Sequence, residues 1–251
     1  MKIKLNKIYV RRLKLPRVKI IEYDKSSKYR PAWIFIKGLP KRTAFVEVRL
    51  DDIPQQYRVW ISTRIPLFLP ANYTYEELRK FYNKFSKVYD KFVEKNNIPA
   101  TQFLIGRLKL SKTAKILDLG AGTGLASEAL VSAGYKNITL LDYSQKMLAL
   151  ARRKRALKNC RFVRQDVRKL KIKDKFELII SVFSFGYGAY YKPEEMPRLW
   201  KLVAGHLKKG GTIALFGNYY EPPTTLFKKT SAGFYNIVGK YYTAYYIGVK
   251  R

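Results

Sequence analysis

A chain of 251 residues, 47% hydrophobic and 15% aromatic, can bury a sizeable core, which excludes a disordered chain. Its 51 Lys/Arg against 18 Asp/Glu give a formal net charge of +33, which predicts attraction to polyanions: nucleic acid first, an anionic membrane surface second. One cysteine, Cys160, and one histidine, His206, exclude an internal disulfide, a zinc cluster and a His-rich metal site, so no metal is expected. No run approaches the roughly 18 apolar residues of a membrane span, and the N-terminal residues lack the apolar block of a signal peptide. The expectation is a soluble cytoplasmic protein.

Residues 1–70 read as a small, basic, β-rich extension. Ile3 and Leu5 alternate with lysines, Val18 and Ile20 flank Lys19, and segments 33–36, 43–50 and 58–61 are rich in β-branched and aromatic residues. The turn 37–41, with Gly38 and Pro40, predicts a hairpin. The extension holds 17 Lys/Arg against 5 Asp/Glu, consistent with one dry face and one cationic face for a substrate or RNA.

Pro66 and Pro70 mark its end, and residues 71–110 read as a helical lid and linker. Thr74 stands three residues before Glu77, the spacing of a capping box. Tyr75, Leu78, Tyr82, Phe85, Tyr89 and Phe92 then recur at steps of three and four, which predicts one helix running to about residue 97, before Pro99.

From 111 to 251 strands and helices alternate. Apolar runs at 115–119, 138–141, 162–163, 178–182 and 212–216 predict strands. Between them lie helices containing Leu125 to Leu130 (stopped by Gly134), Met147 to Ala151 (capped by Ser144) and Leu199 to Leu207 (ended by Gly210). Segments 234–238 and 243–249 predict a closing pair of strands. The expected class is α/β: a Rossmann-like, doubly wound, mostly parallel sheet with an antiparallel closing pair.

Ligands of open α/β sheets bind outside the carboxyl ends of the strands. The first predicted strand runs into Asp118-Leu119-Gly120-Ala121-Gly122-Thr123-Gly124, the second ends at Asp142 and the third at Asp166. The three acids are evenly spaced, about one strand-plus-helix unit apart. Glycines in the turn admit a closely approaching ligand. Asp142 suits a ribose diol and Asp166 an exocyclic amine. Asp118 suits an ammonium group and opposes a pyrophosphate. A nucleoside with ribose hydroxyls, a cationic amino-acid end and no phosphate is S-adenosylmethionine. A nicotinamide-binding domain is the plainer alternative for a glycine turn followed by an acid.

These residues resemble the class I S-adenosylmethionine-dependent methyltransferases. The matching segments are Ile116 to Gly124, Leu141 to Ser144 with Met147, Arg164 to Val167, Phe176 to Ser181, and His206 to Thr212. The resemblance implies that Gly120, Gly122 and Gly124 shape the methionine-side loop and that Asp142 holds ribose. It also implies that Met147 packs near adenine and that Asp166 and Val167 read the adenine edge. Ala121, Thr123, Tyr143 and Ser181 complete the expected cofactor set. The segment Lys84 to Asp90 resembles the lid helix of the quinone-methyltransferase subset, which makes Tyr89 a candidate cofactor contact.

Ser184, Phe185 and Tyr187, after the fourth predicted strand, are candidates for the acceptor side. No catalytic base is identified, and methyl transfer requires one only when the acceptor must lose a proton. Cys160 precedes the third strand and reads as an incidental thiol, His206 as a helix-end residue, and Arg152 to Arg155 as solvent-facing cations at a helix end. The charge points to structured RNA (tRNA or rRNA) as acceptor. A small lipophilic or aromatic molecule and a protein amine are the alternatives within the class. An inactive methyltransferase fold that binds nucleic acid is the alternative outside it.

Overall fold

Two units form along the chain, Met1–Val88 and Tyr89–Arg251. The computed structural model describes residues 32–33, 47–48, 57–60, 67–70, 75–186, 191, 193–217, 219–238 and 241–251. The strands expected at 3–5 and 18–20, the turn 37–41, the cap Thr74 and the acceptor-side Tyr187 lie outside them.

In the first unit β1 (Ala32–Trp33) pairs antiparallel with β2 (Glu47–Val48), and β3 (Tyr57–Trp60) with β4 (Leu67–Pro70). Helix α1 (Tyr75–Phe85) follows, with Leu78, Phe81 and Phe85 buried. The single long helix expected from the aromatic stripe is two helices. Ser86 turns its hydroxyl onto the carbonyl of Asn83 at 2.9 Å, a local bond that competes with the helical ladder, and the chain breaks before Tyr89. The break divides the expected 71–110 segment between the two units.

Helix α2 (Tyr89–Ile105) opens the second unit and runs through Pro99, where the sequence predicted a stop. Burial explains the difference. Ala100 and Leu104, just beyond the proline, are fully buried in the core, and that packing outweighs the hydrogen bond a proline cannot donate. Phe103, on the same turn, stacks on Tyr235 with ring centroids 3.8 Å apart.

The sheet of this unit has seven strands. β5 (Lys115–Leu119), β6 (Asn137–Asp142), β7 (Arg161–Arg164), β8 (Phe176–Val182) and β9 (Leu207–Phe216) are mutually parallel. β10 (Phe227–Val238) and β11 (Tyr241–Lys250) form the closing pair, with β11 antiparallel to both neighbours. The order β10-β11-β9-β8-β5-β6-β7 puts the reversal of strand order at β5, with β6 and β8 on its two sides. That reversal opens a crevice at the carboxyl end of β5.

Three helices connect the strands: α3 (Leu125–Ser132), α4 (Gln145–Arg152) and α5 (Met196–Gly205). β5, β6 and β8 are buried nearly throughout, as strands covered on both faces must be. One buried cluster surrounds Leu199, Trp200 and Phe227. The other surrounds Leu104, Leu130, Leu148 and Ile180. Gly210 does not end α5: the helix stops at Gly205, and Gly210 lies inside β9 with φ +71. There it serves a bulge, because β9 pairs with β8 at Phe176–Leu207 and resumes only at Leu178–Thr212. The closing strands are longer than the two segments expected.

Candidate functional site

The turn after β5 is fastened to the strand beside it. The backbone N–H groups of Gly120 and Ala121 both donate to the carbonyl of Leu141 in β6, at 2.8 and 2.9 Å. Gly120 holds φ +77, and a Cβ there would fall 1.8 Å from the Ser184 hydroxyl oxygen, so both conformation and space demand glycine. Gly122 differs. Its φ of +56 also requires glycine, but an added Cβ would meet nothing nearer than the Tyr89 ring at 3.9 Å. The turn is closed at Gly120, whereas at Gly122 there is room for a Cβ, with the Tyr89 ring at contact distance beyond it. Gly124 then caps α3.

Asp142, the last residue of β6, faces this turn. Its two oxygens accept the N–H of Gly122 at 2.9 Å and of Ser144 at 2.7 Å, which fixes the carboxylate in orientation. A carboxylate has about four lone-pair sites, and the Tyr143 backbone is a third donor to this one, so acceptor capacity remains for a ligand hydroxyl. Burial pushes its pKa up to about 6, against the backbone bonds that pull it down. Ser144 caps α4 by accepting the N–H of Met147 at 3.2 Å, and Met147 is buried behind the acid. Tyr143 is half-buried between them.

Asp118 lies in β5 beneath the turn, buried, and accepts the Ser127 hydroxyl at 2.6 Å. Burial first, then the charge of Asp142, raises its pKa to about 7, net of the Ser127 bond that lowers it. Two neighbouring buried acids of this kind favour a cation above them. Asp166, just past β7, caps a 3₁₀ turn over Val167–Lys169 by accepting the N–H of Arg168 at 2.9 Å. Its carboxyl is half-exposed and Val167 is buried beside it. Asp118, Asp142 and Asp166 thus sit at the carboxyl ends of three adjacent parallel strands, around one turn.

Other expected residues are distributed less evenly. Tyr89, the first residue of α2, comes to the open side of Gly122, and burial, followed by the charge of Asp142, raises its hydroxyl pKa. Thr123 is buried and donates its hydroxyl to Asp90, the last residue of the segment that resembles a lid helix. Ser181 has both hydroxyl partners within the protein, donating to the carbonyl of Leu119 at 2.7 Å and accepting from Phe185 at 2.8 Å. Ser184 reaches the glycine turn. Phe185, expected on the acceptor side, is buried and packs edge-on against Trp200 at 4.8 Å and Tyr191 at 5.4 Å. The residue that aims this loop is Phe183, whose φ of +53 is rare for a bulky side chain.

Two contributors escaped the sequence. Tyr191 packs edge-on against Phe185, with Arg168 4.7 Å over its ring, and burial raises its hydroxyl pKa; in the sequence it is one tyrosine of 20. Lys154 belongs to the basic run expected to face solvent, yet it is turned inward, bonding Asp90 at 2.9 Å and Glu128 at 2.6 Å. His206 meets the expectation of a helix-end role, its Nδ1 lying 2.8 Å from the Leu202 carbonyl. Cys160 is half-buried, and burial raises its thiol pKa.

An open sheet with a glycine turn at its switch point and an acid ending the adjacent strand defines a Rossmann-like nucleoside-binding domain. Residues 116–211 match the family model described as "Methyltransferase domain". Over this stretch the chain is similar to the class I S-adenosylmethionine-dependent methyltransferases. Over 112 residues the chain is 32% identical to a malonyl-[acyl-carrier protein] O-methyltransferase of Bacillus cereus, covering 43% of this chain and 42% of that protein. Over 100 residues it is 32% identical to a cypemycin N-terminal methyltransferase of a Streptomyces species, covering 40% of each. The chain thus spans less than half the length of these relatives. A crystal structure of the glycopeptide N-methyltransferase MtfA with S-adenosyl-L-homocysteine shares the fold, with a TM-score of 0.53 at 14% identity. The superposition covers 62% of this chain and 90% of that one.

The residues present fit the family's cofactor. The glycine turn carries no side chain at Gly120 or Gly122, the Asp142 carboxylate is pre-oriented by backbone donors, and Asp118 and Asp142 supply negative potential. Among the described residues no group of three or more His, Cys, Asp or Glu could hold a metal ion, and no helix is long and apolar enough to cross a membrane.

Proposed function

We propose that this chain is an S-adenosylmethionine-dependent methyltransferase. The observation that carries the reading is the Asp142 carboxylate at the tip of β6, held facing the glycine turn by the Gly122 and Ser144 backbone. Asp142 holds the ribose diol, and Met147, Val167 and Asp166 border the adenine. The glycine turn, between Gly122 and the Tyr89 ring, takes the amino-acid end, over the negative potential of Asp118. When bound, the cofactor supplies a methyl group already activated on a sulfonium. The chain's own part is to hold donor and acceptor in line and to exclude water, with Tyr89 covering the turn. Orientation of this kind is worth several kcal/mol in rate.

For the acceptor we favour a small molecule, free or borne on an acidic carrier, reaching the site beside Ser184 and the strained turn at Phe183. The name of one relative supports this, since it specifies malonyl-[acyl-carrier protein]. Structured RNA is the second reading, favoured by charge: residues 89–251 alone hold 30 Lys/Arg against 11 Asp/Glu. The test is incubation with cofactor labelled in the methyl group and three acceptor pools: small-molecule extract, acylated carrier protein and cell RNA. Label in either of the first two supports the favoured acceptor. Label confined to RNA, with binding that weakens steeply as salt rises, supports the second.

A further inference from the structure

Lys154 is the one member of the run Arg152-Arg153-Lys154-Arg155 that turns away from solvent; its three arginine neighbours are exposed. With only 18% of its side chain exposed, it joins three elements that meet at the glycine turn. Its ammonium lies 2.9 Å from Asp90 Oδ2 at the start of α2 and 2.6 Å from Glu128 Oε2 in α3. The other oxygen of Asp90, Oδ1, accepts the hydroxyl of Thr123, inside the turn itself. Asp90 therefore uses each of its oxygens on a different element, and the residue before it is Tyr89, whose ring lies against the open side of Gly122.

Geometry of this kind does more than add stability. The first turn of α2 has no covalent tie to the glycine turn, and Tyr89 can cover Gly122 only while that end of the helix stays docked. The Thr123 hydroxyl sets the distance between helix and turn. The Lys154 ammonium sits between Asp90 and Glu128 and offsets the repulsion of their two carboxylates. Charge-assisted hydrogen bonds that are partly shielded from water are the stronger ones.

We infer that Asp90, Thr123 and Lys154 form a latch that fastens the start of α2 to the glycine turn and so positions Tyr89 over the bound cofactor. Asp90 and Lys154 are positioning residues in this scheme and touch neither donor nor acceptor. The inference rests on the cofactor reading above and adds a part to it.

Asp90→Asn keeps an acceptor for Thr123 but removes the charge that holds Lys154, and Lys154→Met removes the cation. Binding of S-adenosylhomocysteine, measured by calorimetry, is expected to weaken about tenfold in each variant, the loss of one charge-assisted bond. Because the residues act as one unit, the double variant should be no weaker than the poorer single one, and Lys154→Arg should recover most of the affinity. Hydrogen exchange in the cofactor-free protein gives a second, independent readout. Amides at residues 120–125 and 89–93 should exchange faster in Asp90→Asn than in the parent, with the rest of the sheet unchanged. Unchanged affinity together with unchanged exchange would overturn the latch, as would a uniform loss of protection across the whole unit. If the parent itself fails to bind S-adenosylhomocysteine, the cofactor reading fails, and the exchange pattern alone decides whether the fastening exists.

Discussion

Asparagine at position 142 separates what the acid does for the fold from what it does for the ligand. A carboxyl whose pKa stands at about 6 rather than 3.8 carries a folding cost of about 3 kcal/mol at neutral pH, and asparagine removes that cost. Against this, an amide offers a single oxygen to two backbone donors. Either the Gly122 or the Ser144 N–H then faces an NH₂ group, at a cost of about 1–3 kcal/mol. The opposing terms nearly cancel, so Asp142→Asn should melt within about 5 °C of the parent. Ligand binding has no such compensation. Two ribose hydroxyls lose a carboxylate acceptor, at about 1.5 kcal/mol each, which corresponds to roughly 100-fold weaker binding of S-adenosylhomocysteine. Calorimetry and a thermal melt on the same preparation read both quantities. A variant that binds within threefold of the parent would refute the placement of ribose on Asp142.

Four further outcomes follow from the geometry. Since the ionised carboxylate is the better acceptor, affinity for S-adenosylhomocysteine should fall as pH drops through about 6, and a titration of Kd from pH 8 to 5 should show the dependence flattened in Asp142→Asn. Folding stability runs the other way: the native Asp142 and Asp118 bind their protons more tightly than the unfolded chain does. Their contribution is therefore greatest below pH 3.8 and is lost as pH rises through about 6 and 7, readable from denaturant melts across that window. Gly120→Ala should lower the melting temperature by about 4–8 °C, from a clash with Ser184 and a left-handed backbone. Adding Ser184→Gly should return only the steric part. Leu104→Ala, in the turn of α2 just past Pro99, should cost about 3 kcal/mol by opening a cavity, read as a shift of the denaturant midpoint.

The parts of this molecule that were legible in its sequence are those set by local chemistry. Apolar runs gave five parallel strands in the right places, Ser144 announced its helix, and the acids at 118, 142 and 166 are found at neighbouring strand ends because strand, turn and helix lengths repeat. What stayed hidden depends on partners distant in the chain. Pro99 is a local stop signal, overridden by the burial of Ala100 and Leu104 against strands read only later. Gly210 looks like a helix stop, and only its pairing with β8 makes it a bulge. Phe185 has the composition of an acceptor wall, but Trp200, on α5, draws it into the core. Lys154 cannot be told from the arginines beside it until Asp90 and Glu128 are brought to it. The Tyr-Asp pair at 89–90 was read for its tyrosine, and the aspartate proved to be the residue that fastens the turn.

The most direct measurement is a competitive titration of the full chain with S-adenosylhomocysteine and with NAD under identical conditions. Asp118 beneath the turn disfavours a pyrophosphate, whereas the paired acids attract a cationic amino-acid end. The account predicts saturable one-to-one binding of S-adenosylhomocysteine, undisturbed by excess NAD. Saturable binding of NAD that S-adenosylhomocysteine cannot displace would contradict it.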